Sequence, residues 1–161
     1  MPDTPEHKLP LHLAVDHGAN VSIVHELYTS FPDAVKCHTN SHGMIPLHFA
    51  VNHKKADIDT VQFLLEKYKA GAEARTRGCK SLPLHLAARY GCPMDVIQVL
   101  VDAYPQSLRE RNLHGETPFH NTYTGEKPNK ASTKEEPVMN PQSFQKDLQH
   151  LNLHRRSKTT F

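Results

Sequence analysis

Residues 9–18 read LPLHLAVDHG, residues 45–53 read IPLHFAVNH, and residues 82–91 read LPLHLAARYG. A shorter TPFHN at 117–121 repeats the opening of the line. With proline as origin, Pro10, Pro46, Pro83 and Pro118 recur at intervals of 36, 37 and 35 residues. The likeness continues beyond the line itself. Ile23, Val24, Leu27, Tyr28, Phe31, Pro32 and Val35 follow Pro10 at the offsets at which Val96, Ile97, Leu100, Val101, Tyr104, Pro105 and Leu108 follow Pro83. The middle copy aligns once a residue is inserted near 54–59, which brings Val61, Leu64, Leu65, Tyr68 and Ala72 into register. Self-similarity at such a period marks a repeat architecture.

Apolar positions at i, i+3/i+4 and i+7/i+8 make one helix face. Each copy is therefore predicted to hold a short first helix, about 11–17, 47–53 and 84–90, and a longer second one, about 22–31, 59–69 and 94–104. Proline opens the first helix, where its missing N–H has no intrahelical partner to lose. Ala14, Ala50 and Ala87 are small enough for the two helices to approach closely. Cys92-Pro93-Met94-Asp95 reads as the start of a second helix, with Pro at its first position and an acid in its first turn. Phe31-Pro32 and Tyr104-Pro105 stop the second helix. The polar, glycine-containing stretches HTNSHGM, RTRGCKS and RNLHGET that follow predict exposed turns. One such helix pair cannot bury its apolar face alone, whereas a stack can.

The Pro-Leu-His-Leu/Phe-Ala line, the two-helix periodicity and Gly115-Glu116-Thr117-Pro118 resemble the ankyrin repeat. The resemblance implies an all-α repeat fold, an ankyrin-type solenoid of about three helix-turn-helix repeats plus a truncated fourth. It covers residues 4–121, with repeats near 4–39, 40–76, 77–111 and a partial 112–121. It also implies a non-catalytic protein–protein interaction module. The chain departs from the family pattern where Leu9, Ile45 and Leu82 replace threonine before the proline. It departs again where aromatic-Pro or Lys69-Ala70-Gly71 replaces the usual end of the second helix.

His12, His48, His85 and His120 occupy one repeat position beside Pro10, Pro46, Pro83 and Pro118. One histidine per repeat stands about 10 Å from the next, too far to share a metal whose bonds are about 2 Å long. The resemblance gives these prolines and histidines a structural role, the imidazole bonding to nearby backbone. By the same resemblance, partner contact falls on the residues after the line and on the turn tips. The former are Asp16, His17, Asn52, His53, Arg89 and Tyr90. The tips supply Ser41, His42 and Met44, then Gly78, Cys79 and Ser81, then Leu113, His114 and Glu116. Tyr90 and Arg89 are the expected energetic anchors. Four of these residues are histidines, the side chain whose charge changes between pH 5 and 8; as merely solvated polar residues they would have no effect on binding.

The remaining features narrow the class. Nineteen basic and 17 acidic side chains give a net charge of +2, no basis for a dedicated nucleic-acid binder. The chain lacks an apolar run of about 18 residues, so no membrane insertion is expected. Its polar, acidic opening is unlike a secretory leader. Three widely spaced cysteines suit a reducing, intracellular compartment, cytoplasmic or nuclear. Thr124-Gly125-Glu126-Lys127-Pro128 matches a zinc-finger linker, but no paired cysteines flank it. Cys37-His38 and His42 could clip a metal only with a further ligand from elsewhere. Cys92, at a helix start, is a candidate reactive thiol. Neither a catalytic triad nor a phosphate loop is present, so no cofactor and no small-molecule substrate are expected.

Residues 122–161 carry seven lysines and arginines against four carboxylates, few aliphatics and several prolines, the composition of a disordered polar tail. Within it Phe144, Leu148 and Leu151 have helical spacing, Arg155-Arg156-Ser157 resembles a phosphorylation site, and Thr159-Thr160-Phe161 resembles a C-terminal peptide ligand. The first line begins within ten residues of Met1 and the fourth copy breaks off, which makes a fragment of a larger ankyrin-containing protein the alternative reading. Nucleic-acid binding through the basic tail is the weaker one.

Overall fold

A computed structural model describes residues 7–52 and 56–123, with side chains to residue 120. Among these residues all regular structure is helical. The α-helices are α1 (Pro10–Asp16), α2 (Val21–Ser30), α3 (Pro46–Ala50), α4 (Ile58–Lys67), α5 (Pro83–Tyr90) and α6 (Met94–Ala103). Each odd-numbered helix packs on the even-numbered one that follows it. In addition α1 packs on α3, α3 on α5, α2 on α4 and α4 on α6. Every pair thus touches the next through both of its members.

Each first helix begins at its proline, preceded by Leu9, Ile45 or Leu82 in extended conformation. An aliphatic side chain accepts no hydrogen bond, so the usual side-chain cap is missing at all three. α3 is shorter than predicted and ends at Ala50, with Val51 as its C-cap, whereas α1 runs on through Val15 and Asp16 at the equivalent positions. α5 runs on to Tyr90 and is closed by Gly91 at φ +65, whose N–H reaches the carbonyls of Ala87 and Ala88. At the start of α6, Pro93 is the N-cap rather than the first helical residue, and Met94 opens the helix.

The second helices end alike. Phe31, Tyr68 and Tyr104 have φ/ψ of −148/83, −146/78 and −144/84, and each donates its N–H to the carbonyl four residues back. Proline follows two of them and forbids the α conformation before it. Tyr68 adopts the same geometry before Lys69. After each end the chain turns through a short 3-10 helix, Pro32–Lys36, Lys69–Glu73 or Pro105–Leu108, elements the apolar spacing did not predict. The fourth copy continues only as a 3-10 helix, Pro118–Tyr123, which packs against α5.

The core lies between the pairs. Leu11, Leu47 and Leu84 of the first helices are buried with Val24, Val61, Leu64, Ile97 and Leu100 of the second. Each contributes about 1.5–3 kcal/mol by leaving water. Equivalent positions are not equally covered. Phe49 and Leu86 are 4 % and 8 % exposed, but Leu13, at the same offset in α1, is 43 % exposed. Val96 is fully buried, and its counterpart Ile23 is 47 % exposed. In the later pairs a preceding helix covers these positions, whereas among the described helices α1 and α2 pack on each other and on the pair that follows them.

Candidate functional site

The line histidines are spent on the fold. His12, His48 and His85 are at most 1 % exposed. In each the Nδ1 accepts a backbone N–H three residues back, from Leu9, Ile45 or Leu82, all at 3.2 Å. This supplies from the third helical position the one reciprocal bond that remains when the cap is aliphatic. An Nδ1 that accepts leaves the proton on Nε2. The Nε2–H of His12 donates to Cys37 O at 3.0 Å, and that of His85 to Glu116 O at 3.1 Å. The Nε2 of His48 lies beside the carbonyls of Ala74 and Ser81 without completing a hydrogen bond to either. Burial lowers the pKa of all three imidazoles, partly opposed by these carbonyls, and takes His48 to about 4.

His120 departs from this pattern. It is exposed, and its Nδ1 bonds the Thr117 hydroxyl at 2.9 Å. Where threonine precedes the proline, its side chain meets the imidazole. Where Ile45 or Leu82 replaces it, the aliphatic side chain is fully buried and the backbone N–H takes its place.

A second repeated device escaped the sequence reading. Thr39 donates its N–H to Met44 O, Thr76 to Ser81 O, and Asn112 to Glu116 O, at 2.9, 3.0 and 2.9 Å. In return the Thr39 and Thr76 hydroxyls and Asn112 Oδ1 accept the N–H groups of Met44, Ser81 and Glu116. All three latch residues are buried, and each closes one turn. Their signal was an equivalent position in the period, blurred because threonine and asparagine share only hydrogen-bonding capacity.

The latches correct part of the predicted contact set. Ser81 is 4 % exposed and belongs to the turn closure, so its side chain does not face a partner. Met44 is half-buried in the same role, and Glu116 accepts from Asn112 Nδ2 at 3.0 Å. Cys92 is buried, with its thiol directed at Val51 O at 3.2 Å, so the expectation of a reactive thiol at a helix start fails. Cys37 directs its thiol to Asp33 O, and among the described residues no cluster of histidine, cysteine and carboxylate side chains could hold a metal ion.

The tips themselves stand out from the body and are tied to one another. Arg77 N–H donates to His42 O at 2.8 Å, and Leu113 N–H to Cys79 O at 2.7 Å. Arg77 also reaches Asn40 O through Nη1 at 2.8 Å, its stem crossing Gly43. Gly43 has φ +59, and a Cβ there would stand 2.5 Å from Arg77 Cγ, so this position requires glycine. Ser41, His42, Gly78, Cys79 and His114 are exposed, and Leu113 is 69 % exposed. Ser41 Oγ and His42 Nδ1 lie 2.8 Å apart.

The residues after the line lie at the far ends of α1, α3 and α5. Asp16 pairs with Lys8 at 2.9 Å, and His17 donates from Nδ1 to Leu13 O at 2.8 Å. Asn52 is half-buried, Arg89 and Tyr90 are exposed, and His53 lies outside the described residues. So do the linker-like TGEKP, the Phe144–Leu151 spacing and the motifs of the tail. Among the described residues no helix is long and apolar enough to cross a membrane. No curated protein matches the chain. Residues 42–77, from the first tip through α3 and α4 to the second tip, match the family model of the ankyrin repeat.

Proposed function

We propose that residues 4–121 form one ankyrin-type solenoid of three helix pairs and a truncated fourth. In this reading it is a non-catalytic protein–protein interaction module. Its partner lies across the turn tips and the ends of the first helices, on the concave side of the stack. Residues 122–161 form a separate polar tail. The observation that carries this reading is the division of labour among equivalent positions. The line histidines and latch residues turn inward and are consumed by backbone bonds. Arg89, Tyr90 and Leu113 turn outward, and among the described residues the Arg89 and Tyr90 side chains have no hydrogen-bond partner. Tyr and Arg are the residue types that supply most binding energy when a partner desolvates them. His42, Ser41, Cys79, His114, Asn52, Asp16 and His17 would supply further polar contacts, as would His53, which lies outside the described residues. The three cysteines are free thiols, which fits a reducing compartment, cytoplasmic or nuclear.

The test is capture from a cell extract by the full chain, beside a variant with Asn52→Ala, Arg89→Ala and Tyr90→Ala. Circular dichroism should show equal helicity and melting. A partner held by the first and lost by the second, a loss of about 2 kcal/mol or more, is the expected result. A partner retained by both places the function away from this surface.

A further inference from the structure

The charges of the described residues are sorted by place in the fold. The three turn segments 36–44, 73–81 and 109–116 carry six cations, Lys36, Arg75, Arg77, Lys80, Arg109 and Arg111, against three carboxylates. The second-helix segments 21–30, 57–67 and 94–103 carry six carboxylates against the single Lys67. A body that is nearly neutral in sum is therefore basic along its tips and acidic along its second helices.

The tip cations differ in how they are engaged. Arg75 is committed to the structure, with Nη2 on Glu110 Oε2 at 2.6 Å and Nη1 on the carbonyls of Lys80 and Arg111. Lys36 lies 3.5 Å from Asp33. Arg77, Lys80, Arg109 and Arg111 are exposed, and among the described residues none has a carboxylate within ion-pair distance. Arg77 and Arg111 bond only backbone carbonyls, of Asn40 and Gly115. The backbone bonds between Arg77 and His42 and between Leu113 and Cys79 tie successive tips together, and Arg75, bonded to Lys80 O, Arg111 O and Glu110, sets Lys80 beside the segment that carries Arg109 and Arg111. Leu113, the most exposed large apolar side chain among the described residues, lies within this segment.

We infer that this tip surface takes an acidic peptide segment of a protein partner, its carboxylates on Arg77, Lys80, Arg109 and Arg111 and an apolar side chain on Leu113. The inference rests on the proposed interaction role and specifies the partner's chemistry. Complementary charge of this kind steers encounter and fixes register. A peptide fits better than a nucleic acid for two reasons. Glu110 and Glu116 interrupt the tip cations, and the carboxylate-rich second helices repel a long uniform polyanion. Residues 122–161 are themselves basic in balance and so are not the occupant.

Fluorescence anisotropy of the full chain tests this with three labelled probes: a short peptide of alternating glutamate and leucine-containing glycine spacers, the same peptide with glutamine for glutamate, and a short oligothymidylate. The acidic peptide should bind at low ionic strength and weaken toward physiological salt, while the glutamine peptide should not bind measurably. Lys80→Asp with Arg109→Glu should weaken the acidic peptide about tenfold, since two attractions become repulsions. Lys80 has φ 54, a conformation aspartate tolerates, and among the described residues Arg109 makes no hydrogen bond through its side chain. The milder Lys80→Asn with Arg109→Gln should give a smaller loss in the same direction, and Lys69→Glu, away from the tips, should change nothing. Equal binding of the two peptides, indifference to the tip substitutions, or tighter binding of the oligonucleotide would each overturn the inference. Any of these would leave the Arg89/Tyr90 capture result standing, so the two readings fail separately.

Discussion

His48→Ala is expected to destabilise the protein by about 3–4 kcal/mol, and His120→Ala by less than about 0.5 kcal/mol, although both histidines stand at one repeat position. Removing the His48 ring leaves the buried Ile45 N–H without its acceptor and opens a cavity between α3 and the turn that follows α4. The orphaned donor alone is worth about 1–3 kcal/mol, and the missing atoms add the rest. His120 is exposed and loses only its bond to Thr117. For a domain of this size the first change lowers the melting temperature by more than about 10 °C. Urea titration of the two variants beside the parent chain measures both. Equal losses would mean that the line histidines are not divided as described.

Acid should unfold the protein well before its carboxylates are fully protonated. The ordinary histidine pKa is 6.5, and burial takes His48 to about 4 in the folded state. Below pH 6.5 the unfolded chain binds a proton that folded His48 refuses. Its stabilising contribution is therefore complete above pH 6.5 and is lost as pH falls to about 4. The shift corresponds to on the order of 3 kcal/mol from this residue. His12 and His85 are lowered in the same direction by burial and add to the loss. The midpoint of urea unfolding should fall steadily between pH 7 and pH 4.5. His48→Gln, which keeps an acceptor for Ile45 N–H and cannot titrate, should be less stable at pH 7 and visibly less pH-sensitive. A parent chain equally stable at both pH values would contradict the buried neutral ring.

Where each residue's reason is local, the sequence reading was accurate. Proline belongs at a first helical turn, alanine where two helices meet, and an aromatic before proline at a helix end, so the line and the periodic apolar offsets placed six helices. Helix ends set by competition were read less well. α3 stops at Ala50 although α1 continues through the equivalent Val15 and Asp16, and Cys92 is buried with its thiol on Val51 O of the preceding pair. The turns depended most on tertiary context. Thr39, Thr76 and Asn112 perform one task with different side chains at intervals of 37 and 36 residues, and Ser81 is buried by a closure that no spacing announces. The family resemblance gives the histidines their place and a bond to nearby backbone, while which ring nitrogen accepts, and from which N–H, depends on the fold.

These points meet in one claim. The repeated histidines are neutral structural rings fixed with the proton on Nε2, which leaves the outward-facing tips and helix ends for partners. Long-range proton–nitrogen correlation on uniformly 15N-labelled protein reads the protonation of each imidazole directly. At pH 7 the signals of His12, His48 and His85 should all report the neutral Nε2–H form, and that of His48 should remain so down to about pH 5. A charged ring, or a proton on Nδ1, at any of the three positions at pH 7 would contradict the account.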